Sequence, residues 1–257
     1  MDITVDTLHD WATWSMIPVG ILSFVSLFFQ VAPYGRYSAG GAWGPLINAK
    51  IAWMLWEMPA LAIPAILLWT SGVDSLITNL LSKRTLLATC FMTHYFYRAV
   101  IYPMMTRGGK PAPLSVAFLG GMFCVWNGFV QGWYITRYVP LDAPISMSTA
   151  VGALIWLWGW LNVVRADTTL IGLRKPGETG YKIPRGGLFE LVSAANYFAE
   201  IVEWSGYALA AGSLPALSFA VFTFCNVGPR GWRHHKWYLQ KFEDYPKHRH
   251  AVIPYIW

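Results

Sequence analysis

The sequence predicts an all-α integral membrane protein built as a bundle of seven transmembrane helices. Of the 257 residues, 55% are hydrophobic and only 12% are charged, whereas a soluble domain carries about 25% charged residues. Apolar runs long enough to cross the bilayer core recur along the whole chain. These runs are continuous rather than alternating, which disfavours the strands of a membrane barrel.

Seven apolar runs in chain order supply the predicted spans. They cover residues 11–33, 49–70, 85–105, 113–134, 145–165, 188–204 and 206–227. A helix needs about 20 residues to cross the bilayer core, and only the sixth run is shorter than that. No repeat, low-complexity tract or second domain interrupts the pattern. The sequence therefore predicts one transmembrane domain over residues 1–257.

The lysines and arginines orient the predicted bundle. With seven spans, fifteen of the nineteen basic residues fall on one side, three fall on the other, and Arg98 lies within a span. The basic side is the cytoplasmic one, so the C-terminus is predicted to be cytoplasmic. The membrane would be the endoplasmic reticulum in a eukaryote and the inner membrane in a bacterium. The acidic start MDITVDTLHD lacks the basic region of a cleaved signal peptide.

Ionisable side chains inside the second and third spans indicate a site. Glu57 is the single charge of the second span, and two prolines that bend a helix follow it. In the third span, THYFYR places His94 and Arg98 four residues apart on one face, with Tyr95 beside them. Such residues are costly in a bilayer and usually face a cavity. Pairing of the carboxylate with a neighbouring helix is the alternative.

The sixth span carries a polar stripe in NYFAEIVEW. Asn196, Glu200 and Glu203 lie at i, i+4 and i+7 and share one helix face, and Ser193 extends the stripe by one turn. Two carboxylates facing lipid would be unfavourable, so the stripe is expected to face a wet or ligand-filled interior. An internal hydrogen-bond network that joins helices is the alternative.

The loop 162–189 and the tail 228–257 complete the candidate site. The loop contains Asp167, several basic residues, glycines and prolines, and long loops are often functional. The tail is both basic and aromatic, which suits a membrane surface or a nucleotide, with cations on phosphate and rings on base. Rossmann and Walker patterns are missing from the sequence, so a nucleotide would bind inside the bundle. No cysteine and histidine spacing indicates a metal, and basic residues that flank membrane helices do not indicate nucleic acid.

These segments resemble the steroid 5α-reductase family. The resemblance is dense over residues 162–257, in LRKPGETGYKIPRGGLFELVSAANYFAEIVEWSGYALA and HHKWYLQKFEDYPKHRHAVIPYIW, and sparser at WEMPA and THYFYR. It implies a seven-helix membrane enzyme that binds NADPH within the bundle, mainly through residues 162–257. The implied reaction is reduction of the carbon–carbon double bond of a 3-oxo-Δ4 steroid.

The resemblance also implies roles for individual residues. Glu57 and Tyr95 match the pair that contacts the steroid ketone. Asn196 and Glu200 match cofactor contacts on the sixth helix. The loop and the tail match further cofactor contacts at Asp167, Arg174, His234 and Tyr238.

Three further residues are cofactor-binding candidates. Two of them differ from the family pattern, and the third belongs to the motif that also contains Tyr95. Lys110 stands where the family usually has an arginine, and Arg98 belongs to the THYFYR motif. The family usually places an asparagine four residues before the aspartate of the loop, whereas Asn162 precedes Asp167 by five. A cofactor contact at Asn162 therefore requires a local change of helix register.

The implied chemistry explains why these residue types occur. Hydride addition to an enone places negative charge on the ketone oxygen, and a donor at that oxygen stabilises the transition state. Tyr95 suits this role, and Glu57 could orient it or, if protonated, donate as well. The α-carbon would take its proton from water. We expect residues 162–187 and 228–257 to close over the cofactor from the cytoplasmic side.

Two other classes of protein use similar residues. An ion- or proton-coupled transporter would also need Glu57, Glu200 and Glu203, and it would bind no nucleotide tightly. A membrane methyltransferase of this size would bind S-adenosylmethionine. A retinal-type receptor is disfavoured because the last span has no lysine for a Schiff base.

Overall fold

A computed structural model describes residues 3–38, 41–72, 79–107, 109–175, 178 and 180–257. Within these residues the chain forms seven long helices. They are α1 (Val5–Phe29), α2 (Ala49–Thr70), α3 (Lys83–Phe96), α4 (Leu114–Trp133), α5 (Met147–Gly172), α6 (Ala195–Ala211) and α7 (Leu214–Lys241). The all-α class is confirmed.

Four of the helices are long and apolar enough to cross a membrane: Val5–Phe29, Ala49–Thr70, Leu114–Tyr138 and Met147–Gly172. They indicate an integral membrane protein, as predicted. Among the described residues, α3, α6 and α7 do not reach the same length and apolarity. The α6 helix has 17 residues, and α3 and α7 carry charged side chains.

Two of the helices end in π-helical turns. The α3 helix continues through the turn Tyr97–Ile101 into a short helix, Tyr102–Met105, and α4 continues into the turn Tyr134–Tyr138. A π-helical turn inserts an extra residue into the helical repeat, and such turns often occur at functional sites. The first of them carries Arg98 and changes the direction in which later side chains of this helix point.

Short elements lie in the connections between helices. Gly35–Tyr37 and Gly187–Glu190 are 3₁₀ turns. Strands β1 (Leu46–Ile47) and β2 (Ala112–Pro113) pair in antiparallel orientation. The sequence predicted no strand, and this pair forms because the segments ahead of α2 and α4 run side by side.

The boundary between the sixth and seventh helices differs from the prediction of spans at 188–204 and 206–227. The α6 helix ends at Gly212, whose left-handed φ of 57° suits a glycine cap, and Ser213 caps the start of α7. Gly212 and Ser213 interrupt the apolar run only briefly, so hydropathy alone did not place the break there. Ser193 precedes α6 and therefore does not extend its polar stripe as a helical residue.

Three helices extend beyond their apolar runs. The α5 helix continues past the predicted end of its span at residue 165 and includes Asp167, and α7 continues past residue 227 and includes His234 and Tyr238 of the tail. The α1 helix begins earlier than predicted, where Thr4 caps it. Helical hydrogen bonds do not require apolar side chains, so a helix can continue past the residues that face lipid.

The predicted lid loop is correspondingly shorter, because α5 ends at Gly172 and a 3₁₀ turn begins at Gly187. Pro176, Gly177 and Thr179 of this loop lie outside the described residues. The end of the loop is held by Glu190, which accepts a hydrogen bond from the Gly186 amide at 2.6 Å and lies 3.0 Å from Arg249 Nη2. These contacts, with the Gly186 amide first, hold the pKa of Glu190 below its usual range. The loop is thus tied to the C-terminal segment.

Glycines bring α5 and α6 into backbone contact. A Cβ atom at Gly152 would lie 2.3 Å from the Ala210 nitrogen, one at Gly159 would lie 2.5 Å from the Glu203 nitrogen, and one at Gly206 would lie 2.4 Å from a backbone nitrogen of α5. Small residues permit such close crossings in membrane helices. This contact fixes the position of the polar stripe on α6.

A methyl group at this crossing should weaken the fold. We expect Gly206→Ala to destabilise the protein by about 1–3 kcal/mol, because the added Cβ forces the two helices apart. Thermal unfolding in detergent measures the change. Gly172→Ala on α5 is the control, since its Cβ would meet no atom within 4 Å. Equal melting temperatures for the two variants would contradict the prediction.

The α2 and α4 helices form a second close pair. A Cβ at Gly128 would lie 3.0 Å from the Pro59 carbonyl oxygen, and one at Gly132 would lie 3.0 Å from Pro64 Cα. The α2 helix continues through both prolines, and the glycines of α4 fit against them. This contact places Glu57 of α2 beside α4.

Candidate active site

A cavity of about 610 Å³ lies between the helices. Part of its wall is apolar and comes from α4 and α7: Leu119, Phe123, Cys124, Phe219 and Phe222. Another part is polar and basic: Arg36, Asn196, Tyr197, Arg230, His234 and Tyr238. Glu57, Tyr95, Arg98 and Glu200 also line it. The cavity therefore combines a surface for an apolar molecule with a surface for a charged one.

Glu57 and Tyr95 reach this cavity from α2 and α3. Glu57 Oε1 accepts a hydrogen bond from Trp56 Nε1 at 3.3 Å, and its Oε2 lies 3.8 Å from Cys124 Sγ. Tyr95 is 3% exposed, and its Oη accepts a hydrogen bond from Asn127 Nδ2 at 2.9 Å. The Glu57 carboxylate thus touches the apolar wall of the cavity, and the Tyr95 hydroxyl is held in place by α4.

Arg98 joins two carboxylates that come from different helices. Its Nη1 donates to Asp167 Oδ2 at 3.2 Å, and its Nη2 lies 3.9 Å from Glu57 Oε1. The guanidinium carbon also lies 4.7 Å from the centre of the Trp53 ring and 4.9 Å from that of Tyr102. Asp167 is 1% exposed, so Arg98 provides a counter-charge for a carboxylate that solvent does not reach.

The polar stripe of α6 divides into two parts. Asn196 and Glu200 line the cavity, in agreement with their predicted direction. Glu203 is fully buried, and its Oε1 lies 2.7 Å from Nδ1 of His94 on α3. Glu203 therefore belongs to a hydrogen-bonded pair between helices, the alternative that the sequence left open for this stripe.

His234 lies between two tyrosine rings. Its Nδ1 is 3.1 Å from Tyr37 Oη, and its Nε2 is 3.3 Å from Tyr197 Oη. Burial, with added repulsion from Arg36 and Arg230, holds the pKa of His234 well below its usual range. The ring is therefore neutral, and one of its two nitrogens accepts a hydrogen bond while the other donates.

A second cavity of about 270 Å³ adjoins the first and shares Arg36, Trp53, Tyr102 and Tyr238 with it. Its other walls supply four more cations: Arg107, Lys110, Arg174 and Lys182. Lys110 Nζ donates to the Arg36 carbonyl at 3.1 Å, and Arg174 lies over the Tyr181 ring at 5.5 Å.

Most of these cations have no carboxylate partner. Across the described parts of the chain, Arg98 and Lys182 form ion pairs, whereas Arg36, Arg107, Lys110, Arg174 and Arg230 form none. Uncompensated positive charge around a cavity attracts anions. In the same residues, no cluster of three His, Cys, Asp or Glu side chains could hold a metal ion. The joined cavities fit a ligand with several negative charges.

Asn162 lies apart from the other predicted residues. Its Nδ2 donates to the Trp158 carbonyl on the same helix at 2.8 Å, and it lines neither cavity. Geometry therefore gives no support to a cofactor contact at Asn162. The roles of the other candidates stay predictions, although each of them except Asp167 lines one of the two cavities and Asp167 bonds to Arg98.

Sequence reasoning missed several residues that shape the site. Asn127 is an amide in an otherwise apolar stretch of the fourth span, and that contrast was a readable signal. Arg36 and Arg230 were counted only for topology. Tyr37 and Tyr197 carried no signal, because tyrosine is common near membrane surfaces.

Known proteins match this chain along its whole length. A family model described as 3-oxo-5-alpha-steroid 4-dehydrogenase matches residues 110–257. The 3-oxo-5-alpha-steroid 4-dehydrogenase 1 of Bos taurus is 44% identical over 259 residues, which is 100% of both chains. The Homo sapiens protein of the same name is 44% identical over 82% of this chain and 81% of its own. The Gossypium hirsutum protein Steroid 5-alpha-reductase DET2 is 40% identical over 98% of each chain. The chain therefore belongs to the 3-oxo-5-alpha-steroid 4-dehydrogenase, or steroid 5α-reductase, family.

Proposed function

We propose that this protein reduces the Δ4 double bond of 3-oxo-Δ4 steroids with NADPH and releases 5α-reduced 3-oxo steroids. The joined cavities carry this proposal, because an apolar wall beside Glu57 and Tyr95 meets a wall on which Arg36 and Arg230 have no carboxylate partner among the described residues. A steroid needs the first surface, and a phosphorylated cofactor needs the second. Relatives that are steroid 5α-reductases support the same reaction class.

The donor groups around the cavities fit NADPH. Arg36, Lys110 and Arg174, which form no ion pair within the described residues, suit its phosphate groups. Asn196 and Glu200 suit uncharged hydroxyl and amide groups, because an amide and a carboxylate both accept from such donors. Arg98, Asp167, His234 and Tyr238 complete the residues that would hold it. When bound, NADPH supplies a hydride.

The residues of the chain would act on the ketone of the steroid. As the β-carbon of the enone is reduced, negative charge develops on the ketone oxygen. The Tyr95 hydroxyl donates a hydrogen bond to that oxygen and stabilises this charge more than the ground state. Glu57, fixed by Trp56 and Arg98, positions the ketone beside Tyr95. Water supplies the proton that the α-carbon takes up.

The proposed topology has seven spans and a cytoplasmic C-terminus. The excess of lysine and arginine on one side of the predicted spans supports it. Arg233 on α7 donates to the Leu27 carbonyl at 2.8 Å, so the basic end of α7 lies at the C-terminal end of α1. Closure of the cavities from this side by residues 162–187 and 228–257 stays a prediction, and eukaryotic relatives favour the endoplasmic reticulum.

Turnover of a purified sample tests this function. Protein in detergent is mixed with a 3-oxo-Δ4 steroid and NADPH, and loss of NADPH absorbance is measured together with the mass of the steroid product. A product heavier by two hydrogens is expected. Binding of S-adenosylmethionine with methyl transfer would favour the methyltransferase alternative. Tight binding of neither NADPH nor S-adenosylmethionine would favour the transporter alternative.

The enzyme should prefer NADPH to NADH. We expect kcat/KM to be at least about tenfold higher with NADPH, because the 2′-phosphate meets unpaired cations. Arg174→Gln should reduce this preference. Arg165→Gln removes the same charge from an exposed position on α5 and is the control. Equal efficiency with both cofactors, or equal effects of the two variants, would contradict the assignment of Arg174.

A further inference from the structure

Asn127 is a buried amide that the proposed reaction does not yet use. It lies on α4, is 0% exposed and lines neither cavity. Burial of an amide in a membrane helix is unfavourable unless a hydrogen bond compensates it. The one hydrogen bond that its side chain makes within the described residues joins Nδ2 to Tyr95 Oη at 2.9 Å. Its position is therefore explained by Tyr95.

The direction of this hydrogen bond follows from the partners of the two polar atoms of the amide, Oδ1 and Nδ2. Asn127 Oδ1 has no partner in the described part of the chain. With Nδ2 toward Tyr95 one N–H group of the amide is paired, whereas a reversed amide would leave neither N–H group bonded to the Tyr95 oxygen. Buried N–H groups without a partner are rarer than carbonyl oxygens without one. The amide therefore donates to Tyr95.

A tyrosine hydroxyl can accept one hydrogen bond while it donates another. Because Asn127 occupies the acceptor side, the proton of Tyr95 has no acceptor within the described residues. The Tyr95 ring is held in place by packing, because its centre lies 4.7 Å from that of the Phe91 ring and 5.1 Å from that of the His94 ring. The hydroxyl proton is thus free for a ligand in the cavity that Tyr95 lines.

We infer that Asn127 is a positioning residue for the reaction: its amide fixes Tyr95 as a hydrogen-bond donor toward the steroid ketone. This inference rests on the proposed function. Donation from the amide also polarises the hydroxyl, because consecutive hydrogen bonds strengthen one another. Asn127 acts through Tyr95 and does not touch the substrate.

Asn127→Leu keeps the shape of the side chain and removes the donor. We expect kcat to fall by about 10- to 30-fold, with the affinity for NADPH unchanged within about twofold. Gln131→Met is the matched control. Gln131 lies one turn further along α4, is equally buried, and donates to the Pro215 carbonyl at 2.8 Å rather than to Tyr95. Its kcat should stay within about twofold of that of the unmodified protein.

A double-mutant cycle separates positioning from packing. If Asn127 acts through Tyr95, Asn127→Leu should cost less than about twofold in kcat when Tyr95→Phe is already present. If Asn127 only packs the helices, it should cost the same in both backgrounds. Equal losses would overturn the inference.

A spectroscopic measurement tests the same point without turnover. The infrared carbonyl stretch of a 3-oxo-Δ4 steroid bound with NADP⁺ falls in frequency when the ketone accepts a hydrogen bond. We expect Tyr95→Phe to abolish this shift, Asn127→Leu to reduce it and Gln131→Met to keep it. If Tyr95→Phe changes neither the band nor turnover, the proposed function and the inference both fail. If Tyr95→Phe acts but Asn127→Leu behaves like Gln131→Met, the inference alone fails.

Discussion

Tyr95→Phe should lower kcat for a 3-oxo-Δ4 steroid by about 10²–10³-fold while NADPH still binds. The variant removes one oxygen and keeps the ring, which packs against Phe91 and His94. The lost group is the proposed donor to the ketone oxygen, on which negative charge develops in the transition state. Single-turnover kinetics and a separate titration with NADPH measure the two quantities.

Tyr207→Phe provides the control for this loss. Tyr207 is fully buried beside Phe91, its hydroxyl has no partner in the described residues, and it does not line the cavity. Removing that hydroxyl should leave kcat within about twofold. Should Tyr95→Phe and Tyr207→Phe have the same turnover, Tyr95 does not donate to the ketone.

The sequence indicated that Glu57 and Tyr95 line a cavity, and both do, whereas their contact with a steroid stays a prediction. Glu57 and Tyr95 are polar groups in apolar helices, where each must have a compensating environment, so their presence alone indicated a cavity. The four long apolar helices were equally readable, since hydropathy and length determine whether a helix can span a bilayer.

Pairings between distant helices were not predictable. Glu203 and His94 are 109 positions apart, and their contact depends on how α3 and α6 are rotated and shifted. The close approach at Gly159 helps to set that shift, but a helical period does not say which face of one helix meets which face of another. The sequence therefore left two interpretations of the stripe open: Glu203 forms an interhelical pair, and a ligand contact at Asn196 and Glu200 stays a prediction.

The ends of helices that continue beyond their apolar segments could not be predicted from the sequence either. Hydropathy marks where lipid contact stops, whereas α5 and α7 continue as helices past that point. As a result Asp167 and His234 both lie on helices rather than on a loop and a tail. Asp167 bonds to Arg98, and His234 lines the cavity.

Arg98→Met should be the most destabilising of the single changes considered. Asp167 is 1% exposed, and Arg98 is the charged partner that it contacts. Removing one member of a buried ion pair leaves the other charge uncompensated, which costs about 3–5 kcal/mol. We expect the melting temperature in detergent, without ligand, to fall by about 10 °C.

A second substitution distinguishes this charge effect from a packing effect. Arg98→Met combined with Asp167→Asn removes both charges of the pair, and the amide at position 167 can still accept from Tyr97, which lies 3.4 Å from Asp167 Oδ2. Because replacing both members of a buried pair is often neutral, most of the lost stability should return. Turnover should remain low, since Glu57 has also lost the guanidinium that lies 3.9 Å from it.

Arg84→Met is the matched control on the same helix. Arg84 is buried and donates to the Ser71 hydroxyl at 2.9 Å, but it contacts no carboxylate in the described residues, so its removal leaves no buried negative charge unpaired. It should lower the melting temperature much less than Arg98→Met does. If Arg84→Met is as destabilising, or if Asp167→Asn fails to restore stability to Arg98→Met, then Arg98 contributes through its packing on Trp53 and Tyr102. In that case the ion pairs that Arg98 makes with Asp167 and Glu57 do not stabilise the fold. The close contacts between helices alone then keep the two ends of the cavity aligned.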